Sequence, residues 1–338
     1  MYTSSARSKF GSAMALLFIA VLAPIVMLGI ALAFGGPKAV APMASINDPF
    51  RYVDFTDLPP LSSFIARDGS ALRYRRYAGS GAAPVGSVIL IHGSSASSAS
   101  MHPLAKAFAG KGYAVYALDM RGHGASGPKG TISYVGQLED DLEDFVRATS
   151  PEQPSTLAGF SAGGGFVLRV AGSQRQNQFQ SCLLLSPFLG QDAPTYRPGS
   201  GGWVSVGMAR VIAIDLLNRI GIAAFNQLPV TAFALNEKAR AFLTPAYSFA
   251  LMSNFRPHRD YTADIRSTQL PCAVLVGEAD EVFDATRFEQ AFRAQGKNWP
   301  VHMVPRLGHI PLTLEPTGLA QAVDAVKKLQ RLGNTPSH

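Results

Sequence analysis

Apolar residues in this chain fall into two kinds of run. Short apolar stretches at 86–91, 113–118, 155–158, 181–186, 272–277 and 301–304 read as inner strands of a parallel sheet, buried on both faces. Between them, residues 101–111, 137–148, 164–171, 284–295 and 317–332 read as helices, with acids on the polar face of 137–148. At the start, 61–67 and 71–77 alternate around Asp68-Gly69, a strong hairpin signal. Strands alternating with helices predict an α/β protein: a mostly parallel sheet covered by helices on both faces, with the hairpin at one edge.

Two stretches break this rhythm. Residues 189–270 carry Pro, Gly, Trp203 and helical patterns such as 204–220, but no convincing inner strand. A segment that long between two core strands is too large for a loop. It predicts a helical cap over the carboxyl end of the sheet, inserted between core parts 61–188 and 271–338. At the other end, residues 10–36 contain no charge, which exceeds the ~20 residues a membrane helix needs. Arg7 and Lys9 precede it with no acid, so the positive-inside rule puts the amino terminus in the cytoplasm and the rest outside. Residues 1–36 are thus predicted as an uncleaved membrane anchor. The rival is a cleaved signal, with Ala31-Leu32-Ala33 as its small-x-small site. Residues 37–60, with five prolines, read as a linker.

Composition narrows the picture. The chain has 338 residues, 47% hydrophobic and 16% charged, enough for one large domain with an insertion. The formal charge of +7 is not gathered into basic runs with interleaved aromatics, so nucleic-acid binding is a poor match and anionic lipid a better one. The two cysteines, Cys182 and Cys272, each begin or sit in a buried strand and have no metal-ligand spacing. They read as two buried thiols, a disulfide between them being left open.

The candidate chemistry centres on Gly159-Phe160-Ser161-Ala162-Gly163, between a strand and a helix. A small-x-Ser-x-small turn there strains the serine backbone and pushes its hydroxyl out at the carboxyl end of the sheet. A serine nucleophile needs a base, and a carboxylate to orient that base. His309, in Leu307-Gly308-His309 just past the last strand, is the best-placed histidine. Asp280 lies three residues past strand 272–277; Asp284 is the runner-up, and Glu278 is less well placed. The tetrahedral intermediate needs backbone donors, for which the N–H groups of Ala162 and Ser94 are predicted. His92, before a glycine turn, reads as a loop-shaping residue. The Gly163-Gly164-Gly165 run has no following Lys-Ser/Thr and so is no phosphate loop.

At these residues the chain resembles the α/β-hydrolase family, and more narrowly the lysophospholipase or monoacylglycerol-lipase group that includes serine aminopeptidases. The matching pieces are His92-Gly93-Ser94, the Asp119 to Gly127 loop, the Ser161 elbow, Gly277 to Asp280 and Gly308-His309. The order Ser161, Asp280, His309 is the one that fold uses. The resemblance implies ester hydrolysis, a mobile cap and no cofactor, with 119–127 structural. A lipid-like ester is the expected substrate, the membrane the expected partner. An aminopeptidase or amidase would need a buried acid under the cap to meet a free amine, with Glu237, Asp215 and Asp192 as candidates. A non-catalytic scaffold is the third reading, disfavoured by the intact Ser, Asp and His set.

Overall fold

The computed structural model describes residues 22–197 and 202–333. Eight strands form the main sheet: β1 (Leu61–Ile65), β2 (Ala71–Tyr77), β3 (Ser87–Ile91), β4 (Ala114–Leu118), β5 (Ser155–Phe160), β6 (Ser181–Leu185), β10 (Cys272–Gly277) and β11 (Val301–Val304). Their order is β1-β2-β4-β3-β5-β6-β10-β11. The β1–β2 hairpin is antiparallel and joins β4 antiparallel, while every other pairing is parallel. The alternation expected from the pattern is therefore what forms, with the hairpin at one edge.

Two-sided burial explains why the inner strands are continuously apolar. On β3, Val88 and Leu90 enter one core, with Leu104 and Phe108 of α3 (His102–Ala109) and Val326 of α11 (Pro316–Gly333). Ile89 and Ile91 enter the other, with Phe145 of α4 (Gln137–Thr149), Phe166 of α5 (Ala162–Ala171) and Phe292 of α10 (Phe288–Arg293). All four β3 side chains are fully buried, each worth about 1.5–3 kcal/mol against exposure. The acids of α4 are not a solvated face. Glu139, Asp141 and Asp144 are buried and pair with Arg169, Arg121 and Arg67, so a run of charges became internal ion pairs. Breaking one such pair leaves an uncompensated buried charge.

Cys182 and Cys272 face each other in register on the parallel neighbours β6 and β10. They form a disulfide with Cα atoms 4.7 Å apart, which corrects the two-thiol expectation. Nothing local in the sequence reveals that strands starting 90 positions apart lie side by side.

The inserted segment is not all helical. Alongside α6 (Met208–Arg219), α7 (Glu237–Phe242), α8 (Phe249–Asn254) and α9 (Tyr261–Ser267), it holds an antiparallel sheet of β7 (Val204–Val206), β8 (Pro229–Phe233) and β9 (Ala246–Ser248). The predicted helix over 204–220 starts instead at Met208. Gly207 has no room for a Cβ beside the backbone of Gly35, Gly36 and Pro37, and the chain turns there.

Residues 1–21 of the predicted anchor lie outside the described residues. Among the described residues no helix is long and apolar enough to cross a membrane. Helix α1 covers 22–34, and its last turn is clamped by the cap. Arg210 donates to the carbonyls of Leu32 (2.8 Å) and Ala33 (3.0 Å), a side-chain cap for carbonyls without helical partners. Leu32 packs on the buried trio Ile214, Val230 and Phe249. The stretch read as a linker is docked as well: Lys38 N–H donates to Ser205 Oγ at 3.0 Å and Met43 N–H to the Ala234 carbonyl at 3.1 Å.

Candidate active site

Ser161 stands between β5 and α5 at φ 54°, ψ −118°, a conformation that costs a non-glycine residue on the order of 1–3 kcal/mol. The surroundings impose it. Ser161 N–H donates to the Leu185 carbonyl at 2.9 Å, and the Ser161 carbonyl accepts from Gly165 and Phe188 N–H, both at 3.0 Å. A Cβ at Gly159 would collide with the Gly163 carbonyl, and one at Gly163 with the His92 and Ile91 carbonyls. The two glycines thus allow the helix to start directly against the ends of β3 and β5.

His309 precedes a 3₁₀ turn (Ile310–Thr313) after β11. Its Nδ1 donates to Asp280 Oδ2 at 2.8 Å; a carboxylate only accepts, so Nδ1 carries the proton of this bond and Nε2 is the ring nitrogen left for other chemistry. Both residues are buried. The ring is held by Phe160, Phe283 and Trp203 at centroid distances of 4.7, 5.1 and 5.4 Å. Asp280 Oδ1 accepts from Val282 (2.8 Å) and Phe283 (2.9 Å) N–H. Burial by itself pushes this carboxyl up, but the charge and hydrogen bond of His309 and the Phe283 N–H outweigh it and hold it below the ordinary carboxylate value. The alternatives are occupied elsewhere: Asp284 accepts from the Thr286 backbone and hydroxyl, and Glu278 from Arg306 N–H.

The loop after β3 is shaped from below, as expected for His92. Its Nδ1 donates to the Gly93 carbonyl (2.8 Å) and its Nε2 accepts from Met120 N–H (3.2 Å). The expected structural loop 119–127 does the same work through Asp119, which accepts from Ser98 (2.7 Å) and Ala125 (2.8 Å) N–H. Ser95 adopts φ 66° and donates its N–H to the Tyr247 hydroxyl at 2.5 Å. Tyr247, on β9 of the cap, donates a hydrogen bond from its hydroxyl to His123 Nε2 at 2.6 Å, and His123 Nδ1 donates to the Arg121 carbonyl at 3.2 Å. With Ser95 N–H already engaged by Tyr247, the neighbouring Ser94, exposed to the cavity, is left facing the site.

Ser161, Ala162, Ser94 and His309 line one cavity of about 1200 Å³. Its floor is the carboxyl end of the sheet. The roof includes Trp203, Phe233 and Phe242 from the cap, and Val53, Phe55 and Leu58 from the segment read as a linker. Among the described residues no group of three or more His, Cys, Asp or Glu side chains could hold a metal ion.

Residues 82–316 match the family model described as serine aminopeptidase, S33. This chain belongs to that family. A monoacylglycerol lipase of Mycolicibacterium smegmatis is 34% identical over 110 residues, a match covering 31% of this chain and 38% of that enzyme. A soluble variant of monoglyceride lipase from Saccharomyces cerevisiae, solved with a substrate analogue, superposes with TM-score 0.63 at 18% identity. That superposition covers 85% of this chain and all of the yeast one. A bacterial membrane phospholipase A superposes with TM-score 0.56 at 17% identity, covering 98% of this chain and all of its own. At these identities the structural likenesses establish a shared α/β-hydrolase fold.

Within this S33-family chain, the acids expected to meet an amine are elsewhere. Asp215 pairs with Arg219 and Arg259 on the outside of α6, and Glu237 and Asp192 are exposed; none of the three lines the cavity. Four residues of the site escaped the sequence reading. Tyr247, Trp203 and Arg256 belong to the cap, where no local motif marks them. Glu281, whose carboxylate accepts His309 N–H at 3.0 Å, directly follows Asp280 and was within reach of the strand-end argument.

Proposed function

We propose that this chain is a membrane-tethered serine hydrolase that cleaves lipid-like carboxylic esters such as a monoacylglycerol or lysophospholipid. One observation carries the reading. A serine held in a strained turn at the carboxyl end of the sheet opens on the same cavity as a histidine whose Nδ1 is engaged by a buried carboxylate. In this mechanism His309 Nε2 takes the Ser161 proton as Oγ attacks the ester carbonyl. The negative oxygen rests on the N–H groups of Ala162 and Ser94, the former at the positive end of α5. Collapse breaks the ester C–O bond, and His309 returns the proton to the leaving alkoxide. Water, deprotonated by His309, then hydrolyses the acyl-enzyme. Asp280 orients the ring throughout.

The names of the relatives, monoacylglycerol lipase and membrane phospholipase A, support a lipid ester. The family's name raises peptide bonds as the second reading. Against it, the carboxylates on the cavity wall are Asp48, paired with Arg51 at 2.9 Å, and Asp119, already accepting two N–H groups. Neither is available to an amine. The membrane location rests on the uncharged run 10–36 and on two exposed apolar faces. These are Ile25, Met27 and Phe34 of α1 and Ile212 and Leu216 of α6, on helices joined by Arg210. The disulfide suits an oxidising compartment outside the cytoplasm.

A fluorophosphonate probe applied to cell fractions tests both parts. Label is expected in carbonate-washed membranes carrying the wild-type chain and absent for Ser161→Ala, whose turnover of a p-nitrophenyl ester falls at least about 10⁴-fold. Substantial turnover by that folded variant would remove Ser161 from the mechanism. Label in the soluble fraction alone would remove the tether.

A further inference from the structure

Arg256 is a cation in the wrong place for a purely apolar lipid cavity. It follows α8, and the chain around it is fixed. Phe255 is buried against the rings of His92, His123 and Phe166, and Pro257 packs on Gly165 in the first turn of α5. The side chain lines the cavity that holds Ser161. Its guanidinium lies 5.4 Å from the centre of the Phe188 ring, and Phe188 N–H is the donor to the Ser161 carbonyl. The cation is therefore anchored on the residue that braces the elbow.

Among the described residues the guanidinium has neither an ion pair nor a hydrogen bond with a carboxylate. Asp192 lies near enough to be felt, but it is exposed and outside ion-pair distance. A cation–π contact is worth about 0.5–2 kcal/mol and does not offset burying most of a charge that has neither an acid nor, as Arg75 and Arg210 have, a backbone carbonyl to bond. Arg67, Arg121 and Arg169 show what this fold does with structural arginines: each pairs with a carboxylate of α4. Burial pulls the Arg256 guanidinium below its ordinary value, with Asp192 opposing. The rest of the cavity wall is biased the same way, with four further Lys or Arg side chains (Arg51, Arg75, Lys129 and Lys238) against two carboxylates, Asp48 paired with Arg51 and Asp119 accepting two N–H groups.

We propose that Arg256 recognises an anionic group on the substrate, a carboxylate or a phosphate, so that the preferred esters are charged lipids rather than neutral glycerides. The inference rests on the ester-hydrolase reading of the same cavity and narrows its substrate. The planar fork of arginine matches either group through two parallel hydrogen bonds. A neutral ester leaves the guanidinium as it is, with only Phe188 and an exposed Asp192 beyond ion-pair distance.

Binding separates this inference from the catalytic one. The full chain in detergent, carrying Ser161→Ala, is titrated with hexyl phosphate, hexanoate and hexanol, all below their aggregation limits. At least one of the two anions is expected to bind about tenfold or more tighter than hexanol, the order of a hydrogen bond to a charged group; which one does identifies phosphate or carboxylate as the source. Adding Arg256→Gln should cut that ratio about tenfold, and Arg256→Lys should restore part of it. Anions that bind no better than hexanol, or a ratio that survives Arg256→Gln, would overturn the proposal. If Arg256→Gln fails to fold, the ratio measured with arginine in place still decides. On the wild-type chain, a lysophosphatidate and the monoacylglycerol of the same acyl chain give the kinetic counterpart. The charged ester should show the higher kcat/KM, mainly through KM. A chain that binds hexyl phosphate but hydrolyses no ester would refute the catalytic reading and leave Arg256 as an anion site.

Discussion

The floor and the roof of the cavity are built on different principles. The floor is the ends of β5, β10 and β11, where a few hydrogen bonds at neighbouring strand ends set each side chain: Ser161 by its elbow and the Leu185 carbonyl, Asp280 by the Val282 and Phe283 N–H groups, His309 by Asp280 and Glu281. The roof is made of short elements from distant parts of the chain. It is fastened to the floor by a few long-range polar contacts, chiefly Tyr247 to Ser95 and the Ser95 hydroxyl to the Thr244 carbonyl, 2.6 Å. The floor is thus set by strand ends, whereas the roof depends on how the insertion is seated. Electrostatics differ in the same way: Arg67, Arg121 and Arg169 each pair with a carboxylate of α4, and Arg256 beside the cavity pairs with none.

Asp280→Asn puts the largest strain on this division. Asparagine keeps the shape but no longer demands a proton on Nδ1, so kcat should fall about 10³–10⁴-fold with little change in thermal stability. A loss below tenfold would mean the floor does not depend on that carboxylate. Tyr247→Phe tests the fastening. It leaves Ser95 N–H and His123 Nε2 without partners in a buried place, which should cost about 1–3 kcal/mol of stability. Because Ser95 adjoins Ser94, kcat should fall roughly tenfold while KM moves less. A stability loss with kcat intact would show the roof to be seated independently of the oxyanion loop.

The smallest effect concerns the pair beneath that loop. His92 and His123 are stacked edge to face at 4.8 Å, and burial holds both below the ordinary histidine value, His123 well below and helped by its neighbour. Unfolded histidine takes a proton near pH 6.5. The unfolded chain therefore binds more protons below that pH, and stability falls as pH drops through it. Between pH 7.5 and 5.5 His123 should account for about 1.4 kcal/mol of this loss. Thermal melts at the two pH values should show a flatter slope for His123→Gln than for wild type. Equal slopes would show that His123 is already charged or that another group dominates.

What the sequence could reveal follows the same division. Ser161 was legible because its glycine-flanked turn and the apolar strand and helix on either side are contiguous in sequence, although Gly163 itself is dictated by the distant carbonyls of Ile91 and His92. Asp280 and His309 were legible because strand ends can be counted from apolar runs. Tyr247 was not, since its partner is 152 residues distant and a tyrosine in a short mixed segment has no pattern to betray it. The cap sheet hid for a related reason: β7 and β9 are three residues each, too short for alternation to register. Prolines suggested slack in residues 37–60, yet Ile46 and Phe50 pack on the core and Val53, Phe55 and Leu58 line the cavity. The disulfide needed the strand order, which brings Cys182 opposite Cys272 only after the whole insertion has been bridged.

Arg210 gives the amino-terminal helix a mechanical address. Its guanidinium grips the Leu32 and Ala33 carbonyls from one side and the Pro229 carbonyl, at 2.7 Å, from the other. Arg210 thus couples α1 to β8 and α6 through one side chain. The helix is fastened to the cap, and the sheet that carries Ser161 lies one layer further away.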